Sequence, residues 1–398
     1  MLNPKSVLST VGRNVVILSA CQALGSSGLP LVILAGSIVG AALAPASTWA
    51  TLPMALAVVG SAFFTIPAAL IMKRIGRKRS FIIAAIVATI AALVAALAIA
   101  AQSFPIFCTM MVLLGGCTAF VQQYRFAAAE SVEQSYAGRA ISFVLVGGIV
   151  AGFLGPEIGR DARDWLGYGA YSGSFIALAI LYAVSVFLLL FMRDTAARKD
   201  DNTGAERPLS KIVVQPSYLA AVFSSAVAFG VMSFVMSSTP LSMHVTDHFS
   251  LNDTTLVIQS HIIAMYLPSL FTGFLVERLG TKAMQIVGII LMATGIIIAA
   301  SGHTFFNYLT ALISIGLGWN FLFVAGTVML TRSYYPSERF KAQGVNDFAI
   351  FTFQALVVLT SGAVFTAANW EVLNLVCLPF LLVMLLLILA THSRMKKL

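Results

Sequence analysis

The sequence predicts an all-α membrane protein with twelve transmembrane helices arranged as two halves of six. Three observations predict it. Of the 398 residues, 59% are hydrophobic and only 10% are charged, the apolar residues fall into long continuous blocks, and the basic residues cluster at one set of block ends. Soluble proteins carry about 25% charged residues, so this composition argues against an ordinary soluble domain.

The apolar blocks indicate helices. A bilayer core of about 30 Å needs about 20 apolar residues per helix, and backbone polar groups inside it must be paired within a helix or a closed barrel. The blocks lack the alternation that a membrane barrel requires. We expect the first block to be a membrane helix and not a removed signal peptide, because many more blocks follow it. The four cysteines lie in apolar blocks, so no disulfide framework is expected.

The blocks predict twelve spans and one long polar stretch. The spans cover residues 15–40, 49–72, 80–101, 104–126, 140–159, 170–192, 217–242, 254–276, 283–301, 305–330, 343–366 and 370–391. The polar stretch follows the sixth span and predicts three parts: an N-terminal half (1–192), a cytoplasmic linker (193–216) and a C-terminal half (217–398). We expect the linker to be solvated and to carry no site of its own.

The basic residues predict the orientation. With the N-terminus in the cytoplasm, 22 of the 24 Lys and Arg residues face the cytoplasm, and only Arg160 and Arg163 lie on the other side. Basic residues concentrate in this way on the cytoplasmic side of membrane proteins. Both termini are therefore predicted to be cytoplasmic. The same bias explains the net charge of +9 without a nucleic-acid partner.

An internal repeat supports the division into halves. The run RIGRK (74–78) follows the second span, and the run ERLGTK (277–282) follows the eighth. Glu130 follows the fourth span as Glu338 follows the tenth. Parallel repeats of this kind build transporters with a substrate site near the bilayer midplane, between the halves.

With these motifs the chain resembles the major facilitator superfamily over essentially its whole length. The loop motif of that family reads Gly-x-x-x-Asp-Arg-x-Gly-Arg-Lys/Arg. The first copy here keeps Arg74, Gly76, Arg77 and Lys78 but has Ala69 and Lys73 at the Gly and Asp positions; the second copy has Gly273, Glu277, Arg278, Gly280 and Lys282. The resemblance implies a loop that latches one conformation, with the missing acid weakening the first copy. The alternative is that these charges set topology alone.

The fifth span carries glycines at 148, 152, 155 and 159 around Pro156 and Glu157. This pattern resembles the Gly/Pro-rich fifth-helix motif of many exporters in the superfamily. Glycine allows close helix contact, and proline frees a backbone carbonyl, so Gly155 and Pro156 are predicted to permit bending. Ordinary close packing is the alternative interpretation.

Polar side chains within spans are costly in lipid and are therefore candidates for function. In the family, helices one, four, seven and ten line the cavity. The resemblance therefore predicts these substrate contacts: Gln22, Gln122, Gln123, Tyr124, Trp319 and Asn320. Candidates for carrying a coupling proton are Glu157, His261 and Asp347. For Asp347, near a span end, snorkelling to water is the plain alternative.

Met232 and Met236 lie one helical turn apart in the seventh span, and His261 and Met265 repeat that spacing in the eighth. Thioethers and an imidazole would suit Cu(I). Methionine also fills gaps in packed helices, so the spacing alone leaves both interpretations open.

Together, the MxxxM and HxxxM motifs resemble the CcoA-like transporters, a bacterial group that includes copper importers of the CcoA type and riboflavin importers of the RfnT type. In the copper branch, thiols lie one and two turns before MxxxM, where this chain has Ala228 and Ser224. The 28 Phe residues offer aromatic faces for an isoalloxazine ring. The resemblance therefore favours riboflavin, with copper for cytochrome oxidase assembly as the alternative.

Enzymatic function is not expected, because the sequence has no Walker A motif, no HExxH and no GxSxG. A membrane receptor that binds its ligand without moving it remains the other class. We predict no cofactor, with riboflavin or copper as the transported substrate. We predict a monomer in the bacterial inner membrane, with no nucleic-acid partner.

Overall fold

The computed structural model describes residues 12–45, 49, 52–163, 165, 171–193 and 207–395, and no strand occurs among them. The helices are Arg13–Ser26, Gly28–Leu43, Leu52–Ile75, Arg77–Ala100, Phe104–Val121, Tyr124–Glu130, Ala137–Asp161, Ser172–Leu190, Leu209–Val213, Pro216–Pro240, Leu251–Tyr266, Ser269–Ala300, Phe305–Thr331, Arg339–Ala367, Trp370–Leu375 and Leu378–Met395. Short 3-10 turns span Gln134–Tyr136 and Pro336–Glu338, and a π-helical turn spans Leu241–Thr246. The predicted all-α class is confirmed.

The described residues contain eleven stretches long and apolar enough to cross a membrane. One of them, Asn252–Ala300, has 49 residues. As a straight helix it would be about 70 Å long, more than twice the bilayer core. Gly280 interrupts it with φ 85° and ψ 159°, which are not helical angles. The stretch is therefore two spans, and the predicted total of twelve is confirmed.

We number the spans 1 to 12 in chain order. Span 1 consists of the first two helices, which break at Ser27, and span 4 consists of Phe104–Val121 and Tyr124–Glu130. Span 7 is Pro216–Pro240 with the π-helical turn. Spans 8 and 9 meet at Gly280, and span 12 begins with the short helix Trp370–Leu375.

Large apolar side chains on the outside of the helices mark a lipid-facing surface. Phe63 and Leu97 are each 67% exposed, and Phe306 is 70% exposed. A soluble monomer rarely exposes contiguous apolar surface of this kind. In a bilayer the same side chains meet hydrocarbon, so this exposure fits a multi-pass membrane protein.

The chain divides into two compact units. The first comprises Met1–Gln134 and Phe143–Asp200, and the second comprises Ser135–Ser142 and Asp201–Leu398. The division at Asp200 falls inside the predicted linker. The unit boundary differs from the predicted halves at Ser135–Ser142, the turn that opens span 5, which groups with the second unit.

Small residues bring the helices of each unit close together. In the first unit, a Cβ on Gly115 in span 4 would lie 1.9 Å from the carbonyl oxygen of Ala57 in span 2. In the second unit, a Cβ on Gly318 in span 10 would lie 2.7 Å from the carbonyl oxygen of Gly288 in span 9. Such backbone contact requires glycine and is a common way for membrane helices to associate.

The end of the predicted linker is folded, contrary to the expectation that the whole stretch is solvated. Leu209–Val213 forms a helical turn whose Ile212 side chain is fully buried. Just before it, Arg207 donates to both carboxylate oxygens of Glu338, at 2.7 and 2.6 Å. A buried apolar residue and a two-point ion pair hold this segment to the second unit.

Candidate functional site

An aromatic cluster around Trp319 occupies the interior of the second unit. Trp319, in span 10, is 1% exposed and stacks on Phe323 one turn later, with ring centroids 5.1 Å apart. Phe229 from span 7 and Tyr266 from span 8 meet the indole edge-on, at 5.1 and 5.5 Å. Phe351 from span 11 packs on Phe229 at 5.8 Å. Rings from four spans therefore form one contiguous aromatic cluster.

The indole N–H of Trp319 is buried and has no hydrogen-bond partner among the described residues. A buried indole N–H normally finds an acceptor, and an unpaired buried donor costs about 1 to 3 kcal/mol. The cluster therefore combines closely packed, buried aromatic rings with one buried donor that has no partner among the described residues.

His261 adds a free acceptor on span 8. Its ring is fully buried, and its Nδ1 lies 2.7 Å from the carbonyl oxygen of Leu312 in span 10. That contact requires Nδ1–H as the donor, which leaves Nε2 as a bare acceptor, and Nε2 has no partner among the described residues. This is also the orientation of a metal-ligating histidine.

The methionines of the two predicted motifs lie in the same unit. Met232 and Met265 are each 5% exposed, and Met236 is half-buried. In the described part of the chain, no group of three or more His, Cys, Asp and Glu residues could hold a metal ion. Any soft-metal site would therefore depend on these thioethers together with His261.

The side chain of Asn320, a predicted substrate contact, forms hydrogen bonds to a neighbouring helix. Its amide nitrogen donates to the carbonyl oxygen of Met265 at 2.7 Å and to Ser269 Oγ at 2.5 Å. Its amide oxygen accepts from Thr272 Oγ1 at 2.7 Å. All three partners belong to span 8, so Asn320 joins span 10 to span 8 while the adjacent Trp319 points into the aromatic cluster.

The predicted contacts of the first unit form two groups. Gln22 donates to Ser26 Oγ at 2.7 Å within span 1. The other group lies at the end of span 4, where Gln122 accepts from Arg125 at 3.1 Å and Gln123 accepts from Arg77 at 3.4 Å. Tyr124 packs edge-on against Phe81 at 4.7 Å. Tyr124 also lines a small cavity with Gly25, Cys117, Tyr182 and Ser185.

The two copies of the loop motif have the same backbone geometry. Gly76 has φ 82° and ψ 163°, and Gly280 has φ 85° and ψ 159°. Positive φ favours glycine, which explains why both copies keep it. Arg74 and Arg278, the residues two positions earlier, are exposed.

Each repeat carries an acidic residue whose two carboxylate oxygens both accept from one guanidinium. In the first unit, Arg77 is 1% exposed and donates to both oxygens of Glu130, at 2.7 and 2.6 Å. In the second unit, Thr281 stands at the position of Arg77. The corresponding acid, Glu338, is fully buried and is paired with Arg207 from the linker.

The second loop copy also contacts the turn that opens span 5. Arg139 Nε donates to Glu277 Oε2 at 2.7 Å. A Cβ on Gly273 would lie 2.6 Å from the carbonyl oxygen of Gly138. Gly273 thus permits the close approach that brings Arg139 to Glu277.

The remaining predicted residues lie apart from one another. Glu157 is half-exposed and pairs with Arg160 at the end of span 5. A Cβ on Gly155, which precedes Pro156 in this span, would lie 2.5 Å from the carbonyl oxygen of Ser27 in span 1. Asp347, in the second unit, is fully buried and accepts from Asn346 at 2.8 Å. The described structure does not gather the proton-coupling candidates into one cluster.

Sequence reasoning missed Phe229, Tyr266, Phe323 and Phe351, because Phe and Tyr are common throughout such helices and no spacing marked these four. It also missed Arg207, whose pairing was hidden by its place in a polar linker. The loss of Arg77's counterpart at Thr281 was the available signal.

Comparisons with known proteins agree with the fold. The family model of the Major Facilitator Superfamily matches residues 15–259 and 223–397. The riboflavin transporter RfnT of Brucella anthropi is 38% identical over 379 residues, covering 94% of each chain. YdeG of Bacillus subtilis, an uncharacterized MFS-type transporter, is 28% identical over 395 residues, covering 94% of this chain and 90% of its own length.

Solved structures show the same fold at low identity. The human organic anion transporter MFSD10 matches with a TM-score of 0.77 and 11% identity, covering 97% of this chain and 100% of its own. The proton:xylose symporter XylE matches with a TM-score of 0.79 and 14% identity, covering 95% of each chain.

Proposed function

The chain belongs to the major facilitator superfamily of membrane transporters, and from this premise we propose that it imports riboflavin across the bacterial inner membrane by alternating access. It is a transporter and not an enzyme. The observation that supports riboflavin as the substrate is the 38% identity to a riboflavin transporter over 94% of both chains. Identity of this extent, over nearly the whole length of both chains, favours a shared substrate class.

The aromatic cluster supports this substrate. Riboflavin carries a flat isoalloxazine ring with two carbonyl oxygens and one ring N–H. The Trp319 N–H, which has no partner among the described residues, can donate to a flavin carbonyl, and His261 Nε2 is an acceptor suited to a flavin N–H.

The charge distribution supports the proposed location and the orientation of the chain in the membrane. Lys and Arg residues concentrate at one set of helix ends, which favours cytoplasmic termini in an inner membrane. Transport between the two sides then requires that the substrate site open to each side in turn. The Arg139–Glu277 pair is our candidate for the contact that opens and closes in this cycle.

Copper import is the second candidate, and one observation favours it. His261 presents an unpartnered Nε2 from a ring fixed by its other nitrogen, and Met265 follows one turn later. Thioether and imidazole ligands suit Cu(I). Ser224 is buried and donates to the carbonyl oxygen of Leu322, so it provides a hydroxyl where the copper branch has a thiol.

Growth of a bacterial strain that lacks riboflavin synthesis and its own importer tests the proposal. Expression of this chain should rescue growth on micromolar riboflavin, and purified protein in liposomes should exchange labelled riboflavin by counterflow. The matched variant replaces Met232, Met236, His261 and Met265 with Ala. Failure of a well-expressed parent, together with radiocopper uptake that the variant loses, would replace riboflavin with copper. Binding without counterflow would identify a receptor.

A further inference from the structure

All three connections at one end of the second unit meet at a single side chain, His303. His303 lies between spans 9 and 10, and its Nδ1 is 2.7 Å from Oδ2 of Asp247, which follows span 7. Its Nε2 is 2.8 Å from Oε1 of Glu371, in the first turn of span 12. These are the connections between spans 7 and 8, 9 and 10, and 11 and 12, at the end of the unit opposite to Gly280.

The geometry requires one proton more than a neutral imidazole and two ionised carboxylates supply. A neutral imidazole has one N–H, and an ionised carboxylate has none. Both nitrogens of His303 nevertheless lie at hydrogen-bond distance from a carboxylate oxygen. One additional proton, shared between the imidazole and the two acids, is therefore needed for both contacts to be hydrogen bonds.

Tyr308 cannot supply that proton. Its hydroxyl donates to the same Asp247 oxygen at 2.7 Å, and Ser242 can donate to it in turn. The phenolic proton is thus already used. The tyrosine ring packs on Trp370 at 5.1 Å, and the Trp370 indole donates to the carbonyl oxygen of Ala299 at 2.9 Å. This packing holds the donors and acceptors in place.

We propose that His303, Asp247 and Glu371 form a proton-binding site, and that the bound proton ties the three connections of this end together. In the orientation proposed above, this end faces the outside of the cell. The His303 side chain is 38% exposed, so solvent protons reach it directly. The titratable groups facing His303 are Asp247, Glu371 and Tyr308, one from each neighbouring element.

The direction of the pH response follows from the charges. The hydrogen bond to Glu371 has the largest effect on the pKa of His303 and raises it; partial burial lowers it, and the hydrogen bond to Asp247 and the charges of both acids raise it, so that the pKa lies above its usual value. A group whose pKa is raised by folding stabilises the folded arrangement below its unfolded pKa of about 6.5, and this stabilisation is lost as the pH rises through the folded value. The site therefore holds its proton at low pH, and the contacts that join the three connections are lost at high pH.

The internal repeat supplies a non-titrating counterpart. His303-Thr304-Phe305 corresponds to Gln102-Ser103-Phe104 between spans 3 and 4. Gln102 bonds locally, to the carbonyl oxygen of Ile99 at 3.1 Å. Gln102 has φ 53°, a conformation that His303 does not share. His303→Gln is a suitable variant because its amide can donate to a carboxylate but cannot titrate.

Hydrogen exchange of the full-length protein in nanodiscs, followed by mass spectrometry between about pH 6 and 8.5, tests the site. In the parent, the amide exchange rates of all three connections, corrected for intrinsic exchange, should rise together by about fivefold as the pH rises. That increase corresponds to a loss of about 1 kcal/mol in the free energy of opening. His303→Gln should remove this pH response. In Glu371→Gln, the midpoint of the pH response should lie about half a pH unit below that of the parent, a shift that a merely structural role of Glu371 does not produce.

His248→Asn is the matched control, because His248 follows Asp247 and has φ 59°, which asparagine tolerates. It should keep the response of the parent. The proposal is overturned if His303→Gln retains the parent's pH profile, if the Glu371→Gln midpoint does not move, or if His248→Asn abolishes the response.

Discussion

Arg207 pairs with Glu338 as Arg77 pairs with Glu130. In each pair, a guanidinium donates to both carboxylate oxygens at 2.6 to 2.7 Å. The first repeat takes its guanidinium from the residue after Gly76. The second repeat has Thr281 after Gly280, and the linker supplies the guanidinium instead. The linker end therefore replaces a side chain that the second repeat lacks.

We expect Arg207→Ala to destabilise the protein. The substitution leaves the fully buried carboxylate of Glu338 without its cation, which costs about 2 to 3 kcal/mol for a charged buried group. Thermal unfolding of the purified protein in detergent measures the effect. Lys211→Ala is the control, since Lys211 lies in the same segment and is exposed. Equal melting temperatures for parent and Arg207→Ala would contradict the assigned pairing.

The repeat also predicts a rescue. In the background of Arg207→Ala, Thr281→Arg places a guanidinium after Gly280, where the first repeat has Arg77. We expect the double variant to recover most of the lost thermal stability because the new arginine can reach Glu338. Thr281→Gln, which adds bulk without a cation, should not rescue. Equal rescue by both would show that the effect is not electrostatic.

Substitution of Gly76 or Gly280 by Ala should be costly even though the space around both residues is open. Their φ values are positive, and nothing lies within 4 Å of a Cβ built on either one. Replacement by Ala therefore tests backbone conformation alone and should cost about 1 to 2 kcal/mol at each site. Gly12 is equally open but has φ −60°, so Gly12→Ala should be neutral or slightly stabilising. Thermal unfolding compares the three, and equal effects would refute the argument.

The Arg139–Glu277 pair should contribute a measurable coupling energy. Both side chains are partly exposed, at 33% and 18%, so we expect about 1 kcal/mol in a double-mutant cycle of thermal stability. Arg139→Glu and Glu277→Arg should each slow riboflavin counterflow, and the exchanged pair should restore part of it. Failure of the exchange to restore either quantity would separate this contact from the transport cycle.

Most of the fold could be predicted from the sequence, because its signals are local. Apolar block length predicted the spans, and the structure differs chiefly where helices break, at Ser27 in span 1 and at the π-helical turn after Pro240. These breaks depend on tertiary contacts. Gly28, for example, lies so close to Tyr182 that a Cβ on Gly28 would lie 2.1 Å from the tyrosine hydroxyl. The sequence around Gly28 does not predict this contact.

The site was less predictable because its residues come from different spans. Trp319 and Asn320 are adjacent and were predicted together, yet they point to different partners. Asn320 is bonded on all sides by span 8, whereas the Trp319 N–H stays free. The rotation of span 10 about its own axis decides which of the two side chains faces span 8 and which faces the aromatic cluster. A span that is apolar on all sides has no hydrophobic periodicity that would predict this rotation.

Trp319→Phe should raise stability and weaken transport at the same time. Phenylalanine retains the ring contacts with Phe229 and Phe323 but removes a buried donor that has no partner, so the free protein should gain up to about 1 kcal/mol. If that N–H binds a flavin carbonyl, the KM for riboflavin should rise about tenfold, the equivalent of about 1.4 kcal/mol.

Counterflow kinetics and thermal unfolding of the same preparations measure the two effects of this substitution. Phe351→Leu is the control, because it changes aromatic packing against Phe229 without touching the indole N–H. It should lower the melting temperature and leave the KM within about twofold, the usual scale of a small packing change. An unchanged KM in a stable Trp319→Phe protein would exclude the indole N–H as a substrate contact, and the flavin would then have to be bound elsewhere.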